Sequence, residues 1–229
     1  NDSHNNQSVI PDYFICLLKG KNMKKRLSKL WKENKSLFAF IGLMLVFRSA
    51  VADWSDVPTG SMKPTIVEGD RIFINKMAYD IRLPFTHVSL IKLAEPQTND
   101  IIIFDSVVSD KRLVKRVIGV PGDKVAMKDN KLLINGLAIS YQQTSTEKPH
   151  SNNHYVNTES INGQSHNIRT NNINSSLANF NEVTVPEGQF LVLGDNRDNS
   201  ADSRVIGFVP RNEIVGRSSN VVFSLNYDN

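Results

Sequence analysis

From residue 61 onward, the chain is a succession of short runs rich in β-branched and aromatic residues. Seven of these runs have the length and composition of β-strands. They are residues 71–75, 100–105, 113–118, 125–127, 132–134, 189–193 and 220–223. Proline, glycine, aspartate and asparagine, which favour turns, lie between the runs. No segment after Trp54 keeps a helical period with capping residues, so the pattern predicts a mainly β fold, with an antiparallel sheet or barrel.

The N-terminal part has a different pattern, with one long apolar run. Residues 37–47 carry no polar side chain, and a mostly apolar stretch covers residues 36–52, with Arg48 as its one charged residue. A helix that crosses a bilayer needs about 20 apolar residues, so this stretch is near the lower limit. A cleavable signal peptide has a similar basic start, apolar run and small-residue site, which Ala-Val-Ala at 50–52 resembles. The local pattern therefore leaves a transmembrane anchor and a signal peptide open.

Basic residues are concentrated just before this run. Eight lysines and arginines lie from Lys19 to Lys35, with Glu33 as the only acid in that interval. The formal net charge of +4 is therefore local, and no nucleic acid is predicted as a partner, because that would need a basic patch on the folded domain. Lysines before an apolar segment and few after it place the N-terminus in the cytoplasm, with membrane lipid as a partner.

These patterns divide the chain into parts. The predicted parts are a basic cytoplasmic segment at residues 1–35, a membrane anchor at 36–52 and a domain outside the membrane at 53–229. Met23 opens a conventional basic segment, so we expect it to be the native start, with residues 1–22 foreign to the protein. Residues 141–185 are rich in asparagine, serine and threonine. This insertion is predicted to be a weakly packed surface loop or small hairpin subdomain without chemistry of its own.

Cysteine and histidine usage excludes several classes of site. Cys16 is the only cysteine, so the body of the chain has no disulfide, thiolate metal cluster or cysteine nucleophile. None of the five histidines has a metal-type spacing such as H-E-x-x-H. His150 and His154 are four apart but lie in the asparagine-rich stretch, which is typical of solvated loop histidines. No metal or cofactor is predicted.

The segment Pro-Thr-Gly-Ser-Met-Lys-Pro-Thr at 58–65 contains a candidate nucleophile, Ser61. Proline fixes φ and glycine permits unusual backbone angles, so such a segment can hold a hydroxyl and its amide in an exposed, strained geometry. The Ser61 amide and the Thr59 hydroxyl can then face an oxyanion. A Gly-Ser pair in a turn is by itself most often only a turn, so the hypothesis also needs a base.

Lys115 is the candidate base. Strand alternation in its run puts Lys115 on one face with Leu113 and Val117. It turns Arg116 to the other face. A lysine on an apolar face loses hydration, which lowers its pKa, and a neutral amine can take a proton from serine. The alternative is that Lys115 is solvated and Arg116 faces inward, and periodicity does not decide between the two.

A loop at 194–204, Gly-Asp-Asn-Arg-Asp-Asn-Ser-Ala-Asp-Ser-Arg, is dense in hydrogen-bonding side chains. Such density usually builds a rigid turn that satisfies its own polar groups. We expect Asp202 and Arg204 to brace the loop. Ser200 can hydrogen-bond the Lys115 amine and aim it at the nucleophile.

Four segments, in order along the chain, resemble the motif boxes of bacterial type I signal peptidases, also called leader peptidases. They are the 58–65 segment, Gly-Asp-Arg-Ile-Phe-Ile-Asn-Lys at 69–76, Lys-Arg-Val-Ile-Gly-Val-Pro-Gly-Asp at 115–123, and the 194–204 loop with Gly-Phe-Val-Pro at 207–210. The first motif alone is a weak signal, whereas four ordered motifs over about 150 residues are a strong one.

The resemblance implies a mostly β catalytic domain on the outer face of the bacterial cytoplasmic membrane, with a serine–lysine dyad and no histidine. Substrates in this family are exported preproteins with small residues at the first and third positions before the cut. The implied activity is therefore a membrane-bound serine endopeptidase that removes signal peptides after Ala-x-Ala sites. The resemblance also favours an uncleaved, single-pass anchor at 36–52, because such an enzyme stays where its substrates emerge. Many Gram-negative members have two spanning segments, and the 141–185 insertion matches nothing in the family pattern.

The resemblance also assigns roles to individual residues. Ser61 is similar to the nucleophile and Lys115 to the general base. Thr59 is similar to the residue whose hydroxyl helps to bind the oxyanion, and Ser200 to the residue that orients the lysine. Asp202 and Arg204 match the supporting ion pair. The implied apolar subsites, where an extended substrate would pair with strand edges, are at Val57, Pro58, Met62, Ile66, Leu113 and Val114.

Other functions stay open from the sequence. A specialised maturation peptidase of a conjugation system and a self-cleaving repressor share the serine–lysine dyad. A repressor needs a cytoplasmic DNA-binding domain ahead of its peptidase, whereas this chain has a basic, apolar segment there. An inactive, membrane-tethered binding module with the same fold is a further alternative, which the intact serine, lysine and loop residues disfavour.

Overall fold

The structure is a computed structural model in which only part of the chain is described. The described residues are 23, 25–26, 28–86, 88–146, 154–171, 175–218 and 221–223. Two compact units divide the chain, Asn1–Phe47 and Arg48–Asn229. The expectations about residues 1–22, Cys16 and His150 lie outside the described residues.

Helix α1, Lys35–Ala50, contains most of the predicted membrane anchor and ends two residues before the predicted boundary. None of its residues is buried, although its side chains are mostly leucine, phenylalanine and other apolar residues. Within the described ranges, no helix combines the length and the apolar character that crossing a membrane requires. The ring of Trp31, which precedes α1, stacks on the ring of Phe38 within α1, with centroids 5.0 Å apart.

The body is built on an eight-stranded sheet whose strand pairs are antiparallel. Its strands, in spatial order, are β1 (Ala52–Asp56), β2 (Arg71–Asn75), β16 (Ile214–Ser218), β5 (Ile101–Ser106), β6 (Lys111–Gly119), β14 (Gln189–Leu193) and β15 (Val209–Pro210), with β17 (Val221–Phe223) also paired to β2. Strands β5 and β6 form a hairpin in which Ile102 lies opposite Lys115. This register puts the candidate base in the middle of the sheet.

Three smaller sheets complete the described fold. They are β3 (Asp80–Arg82) with β4 (Ser89–Lys92); β13 (Phe180–Thr184), β7 (Lys124–Lys128), β8 (Lys131–Ile134) and β9 (Leu137–Ala138); and β10 (Ser140–Thr146), β11 (His154–Ile161) and β12 (Gln164–Asn171). After Trp54, the only α-helix among the described residues is the single turn α2, Ser203–Ile206. All seven predicted strands are present, and the prediction of a mainly antiparallel β fold is confirmed.

The polar insertion is better packed than predicted. Its strands β10, β11 and β12 bury Val156, Ile161 and Ile168. Ile161 packs in the same apolar cluster as Ile118 and Leu193 of the main sheet. The expectation of weak packing is wrong for these described residues, and that of a surface loop or small hairpin subdomain stays a prediction. Single apolar residues spaced along otherwise polar strands bury one face of the sheet without changing the overall composition.

Strand β6 lies where three apolar clusters of the core meet. Val117 belongs to the first cluster and Ile118 to the second, and Val114 packs against the third. Leu113 packs against the same cluster as Val117, which agrees with the predicted alternation. Because β6 is covered on both faces, the polar side chains near its centre are also removed from water.

Candidate active site

The candidate nucleophile lies in a short 3-10 turn, Gly60–Met62. The preceding residue, Thr59, is extended, with φ −136° and ψ 148°. Met62 is 1% exposed and belongs to the third apolar cluster, and the Ile66 amide donates to the Met62 carbonyl at 3.0 Å. The buried methionine thus anchors the turn and holds Ser61 half-buried beside it.

The candidate base and nucleophile are in contact. Lys115 Nζ lies 2.7 Å from Ser61 Oγ, although the two residues are 54 positions apart in sequence. The amine also donates to the Val114 carbonyl at 3.0 Å. Lys115 is 2% exposed, so the interpretation in which this lysine is solvated is wrong. Arg116 does face inward, as that alternative supposed, because β6 is buried on both faces.

The environment of Lys115 favours the neutral amine. Burial lowers the pKa of Lys115 from its ordinary value of 10.5 to about 8, and the negative charges of Asp202 and Asp195 oppose part of that change. Desolvation dominates because an ammonium group loses far more hydration energy on burial than a neutral amine does. A substantial fraction of the amine is therefore uncharged at mildly alkaline pH, and an uncharged amine at 2.7 Å can accept the hydroxyl proton.

Asn196 fixes the backbone of the nucleophile turn. Its amide N–H donates to the Ser61 carbonyl at 3.0 Å, and its side-chain Nδ2 donates to the Gly60 carbonyl at 2.9 Å. Asn196 is 4% exposed. Two directed hydrogen bonds from one buried residue thus tie the 194–204 loop to the turn that carries Ser61. The sequence reasoning singled out this loop but missed the role of Asn196.

A buried ion pair, which the sequence reasoning also missed, fixes the same loop to β6. Arg116 Nε and Nη2 donate to the two oxygens of Asp195 at 2.9 and 2.7 Å, and Thr65 Oγ1 donates to Asp195 Oδ2 at 2.5 Å. Both charged side chains are almost fully buried. The sequence signal was Arg116 itself, because an arginine in a strand covered on both faces requires a carboxylate partner.

The expected ion pair between Asp202 and Arg204 is present. Arg204 Nε and Nη2 donate to the two oxygens of Asp202 at 2.8 and 2.6 Å. Asp202 also accepts from the Gly194 amide at 2.9 Å, and Arg204 donates to the carbonyls of Leu177 and Arg197 at 2.7 and 2.6 Å. This one pair therefore connects the two ends of the loop and satisfies the Arg197 carbonyl within it, which is the bracing geometry that the sequence suggested.

Ser200 does not make the hydrogen bond to Lys115 that was expected. Its side-chain oxygen is buried and has no hydrogen-bond partner among the described residues. The Lys115 amine contacts Ser61 Oγ and the Val114 carbonyl instead. Ser200 is nevertheless close to the site, since a Cβ added at Gly194 would lie 2.2 Å from Ser200 Oγ and 2.4 Å from the Ser61 carbonyl oxygen. Its orienting role stays a prediction.

Thr59 and the predicted subsite residues have different exposures. Thr59 is exposed and its side chain makes no capping hydrogen bond to the turn. Val57, Met62 and Ile66 are 4%, 1% and 2% exposed. These three form part of the core and offer little surface to a substrate. Pro58 is exposed, and Leu113 and Val114 are half-buried.

Together, an antiparallel β body, a half-buried serine and a buried lysine amine within hydrogen-bonding distance define a candidate serine–lysine hydrolase. Residues 30–223 match the family model described as signal peptidase, peptidase S26. The chain belongs to this family.

Individual relatives agree with the family match. A signal peptidase I of Pseudomonas aeruginosa is 34% identical over 211 residues, covering 84% of this chain and 74% of the relative. A signal peptidase I of Bacillus amyloliquefaciens is 31% identical over 204 residues, covering 89% of this chain and 90% of the relative. Among solved structures, a signal peptidase I of Enterococcus faecalis has a TM-score of 0.37 at 30% identity, covering 56% of this chain and 100% of that structure.

Proposed function

We propose that this chain is a serine endopeptidase that removes N-terminal signal peptides from exported preproteins, with Ser61 as nucleophile and Lys115 as general base. The observation that carries the proposal is the 2.7 Å contact between a buried lysine amine and the serine hydroxyl, in a chain that matches the signal peptidase family over residues 30–223. The relatives at 31–34% identity are named signal peptidase I.

In the proposed reaction, the neutral Lys115 amine accepts the Ser61 proton as Oγ attacks the carbonyl carbon of the scissile bond. The resulting oxyanion receives hydrogen bonds from the Ser61 amide and the Thr59 hydroxyl. The Lys115 ammonium then donates its proton to the departing amine of the mature protein, and the signal peptide stays as an ester on Ser61. Water, deprotonated by the same amine, hydrolyses this ester and restores the hydroxyl.

A histidine is not needed for these proton transfers. A general base works best when its pKa is near the working pH, and burial brings the pKa of Lys115 to about 8. After it has accepted the proton, the same group is a sufficiently strong acid to protonate an amine leaving group. One residue therefore serves as base and then as acid.

The open edge of β6 offers a place for an extended substrate. In the described residues, β5 pairs with β6 from Lys111 to Arg116, whereas β14 pairs with β6 only at Arg116, Val117 and Gly119. The half of β6 that leads up to Lys115 is therefore paired on one side. A signal peptide added there as a strand would place its small side chains beside Leu113, Val114 and Pro58.

Attachment to the bacterial cytoplasmic membrane forms part of the proposal, with the apolar segment of α1 as the membrane-attached part and the body on the outer face. The surface next to the end of α1 supports it. Leu83, Phe85 and Val88, between β3 and β4, are 46%, 69% and 56% exposed, and the Phe85 amide donates to Ser49 Oγ at 2.6 Å. Exposed apolar side chains at this density mark an interaction surface. Protease digestion of intact spheroplasts tests the topology, since the body is expected to be degraded from outside.

Cleavage of a preprotein with an Ala-x-Ala site tests the function. We expect the detergent-solubilised full chain to release the signal peptide, and Ser61→Ala and Lys115→Met to reduce the rate by several orders of magnitude while remaining folded. Undiminished cleavage by either variant would refute the assignment of that residue. Absence of cleavage by the unaltered chain would refute the function.

A further inference from the structure

The polar insertion is hydrogen-bonded directly to the loop that holds the nucleophile. The Arg169 amide of β12 donates to the Asp195 carbonyl at 2.8 Å, and the Arg197 amide donates to the Arg169 carbonyl at 2.9 Å. This pattern is a parallel bridge between Arg169 and Asn196. The Asn171 amide, further along β12, donates to Asp198 Oδ2 at 2.7 Å. Strand β12 thus acts as a partner strand for residues 195–198.

A buried ion pair joins the same two elements. Arg197 of the loop and Glu159 of β11 both have 0% exposure, and Arg197 Nη2 donates to both carboxylate oxygens of Glu159. The Tyr141 hydroxyl of β10 donates to Glu159 Oε1 at 3.0 Å, and His166 Nε2 of β12 lies 3.5 Å from Glu159 Oε2. All three strands of the insertion therefore supply a group to this cluster.

Glu159 and Arg197 are both charged at neutral pH. Burial alone would raise the pKa of Glu159, but the Arg197 charge and the contact with His166 hold it at about 2. Burial likewise opposes the charge on Arg197, and the Glu159 carboxylate outweighs it and raises the pKa of Arg197. Two opposite charges are thus kept out of water, and each is stable there only in the presence of the other.

The carboxylates within the loop are engaged elsewhere. Asp195 accepts from Arg116 and Asp202 from Arg204. Asp198 accepts from the Asn130 side chain and the Asn171 amide. The carboxylate that neutralises Arg197 is therefore that of Glu159, from outside the loop. Without the Glu159 carboxylate, the guanidinium of Arg197 would be a buried charge with no partner of opposite charge. The loop would then shift to bring this guanidinium to water.

Such a shift would reach the nucleophile, because Asn196 is adjacent to Arg197 and binds the Gly60 and Ser61 carbonyls. We propose that Glu159 is a positioning residue for the peptidase reaction, which holds residues 195–198 against the nucleophile turn through its ion pair with Arg197. This inference rests on the proposed function of Ser61 and Lys115. It gives the polar insertion a role in assembling the active site.

The test compares steady-state kinetics of full-length, detergent-solubilised Glu159→Gln with those of the unaltered chain on one preprotein. We expect kcat to fall by about tenfold or more with KM changed by less than about twofold, because the loss concerns the geometry of the reacting groups and not substrate contacts. The pH at which kcat is half-maximal is expected to move upward, because a displaced loop admits water to the Lys115 amine. Asp195 and Asp202, the carboxylates whose charges act on that amine, are both unchanged in this variant.

Asp80→Asn is the matched control. Asp80 of β3 is also a buried carboxylate, and it accepts from Arg82 and Arg211 at 3.0 and 2.8 Å. Its loss should lower the thermal stability of the fold to a similar extent but leave kcat and the pH profile as in the unaltered chain. An equal fall of kcat in both variants would show a general effect of destabilisation and overturn the proposal.

The double variant Glu159→Gln/Arg197→Gln covers the case in which the single variant does not fold. It leaves no uncompensated buried charge at this position, so we expect it to fold. Because it still lacks the ion pair that ties residues 195–198 to β11, kcat should fall and the pH profile should move upward, each by less than in Glu159→Gln. Unchanged kcat and an unchanged profile in a folded variant would refute the positioning role while the proposed function stands. No cleavage by the unaltered chain would refute both.

Discussion

Arg116 Nη2 lies 2.7 Å from Asp195 Oδ2, and both side chains are buried. The next residue on β6, Lys115, is equally buried, but its hydrogen bonds go to a serine hydroxyl and a backbone carbonyl. Two adjacent cations on one strand thus have different partners. Arg116 fixes the loop through its ion pair with Asp195, whereas Lys115 has no carboxylate at hydrogen-bonding distance among the described residues and can lose its proton.

The first prediction concerns the pH dependence of cleavage. Because the base must be neutral, kcat/KM should rise with pH and reach half of its maximum near the pKa of Lys115 in the free enzyme, at about 8. Initial rates of preprotein cleavage between about pH 6 and pH 10 measure this directly. A profile that is flat, or that falls over this range, would contradict a lysine base.

Exposed Lys111 on the same strand supplies the control for this profile. Lys111→Met should keep the same half-maximal pH, since a solvated lysine makes no contribution to proton transfer. Lys115→Arg should be inactive across the whole range, because a guanidinium group stays protonated.

The second prediction concerns the ion pair of Arg116 and Asp195. Asp195→Asn leaves a buried guanidinium without its carboxylate, and breaking a pair of this kind typically lowers the free energy of unfolding by about 3–5 kcal/mol. Cleavage should also slow, because Asp195 precedes the asparagine that fixes the Ser61 carbonyl. Chemical denaturation and kcat measure the two effects.

An exposed ion pair provides the comparison. Asp56 and Arg71 are in contact at 2.7 Å, with side chains 70% and 52% exposed, and such pairs are worth at most about 1 kcal/mol. Asp56→Asn should therefore change stability little and cleavage not at all. Equal losses from Asp195→Asn and Asp56→Asn would show that burial does not determine the effect.

The sequence predicted those features that depend on local pattern. The period of two in β6 put Lys115 on one face with Leu113 and Val117 but left open whether that face is buried, and the dense loop identified the pair of Asp202 and Arg204. It did not reveal Asn196 or Glu159, because their roles come from contacts between segments far apart in the chain. The packing of the insertion was missed for a related reason: its few buried residues are single apolar side chains in polar strands.

The third prediction concerns Gly194. A Cβ at this position would lie 2.4 Å from the Ser61 carbonyl oxygen and 2.2 Å from Ser200 Oγ. Since a backbone atom cannot move aside without moving the turn, Gly194→Ala should displace Ser61 from Lys115 and reduce kcat by about a hundredfold or more. Gly42→Ala is the control, because nothing lies within 4 Å of a Cβ added there. Equal rates for the two variants would show that the close approach at Gly194 is not required.

The last prediction concerns the stability cost of the buried base. A pKa lowered from 10.5 to about 8 corresponds to about 3 kcal/mol in favour of the unfolded state when the lysine is protonated. This penalty is complete below about pH 8, where the lysine is protonated in both states. It decreases as the pH rises from about 8 to 10.5, because the folded chain has released the proton that the unfolded chain still holds, and it is absent above the ordinary lysine pKa. Relative to Lys115→Met, the unaltered chain should thus gain about 3 kcal/mol between these limits, as followed by denaturation at successive pH values. Lys111→Met should show no such trend, and a constant difference between the unaltered chain and Lys115→Met would mean that the amine has an ordinary pKa.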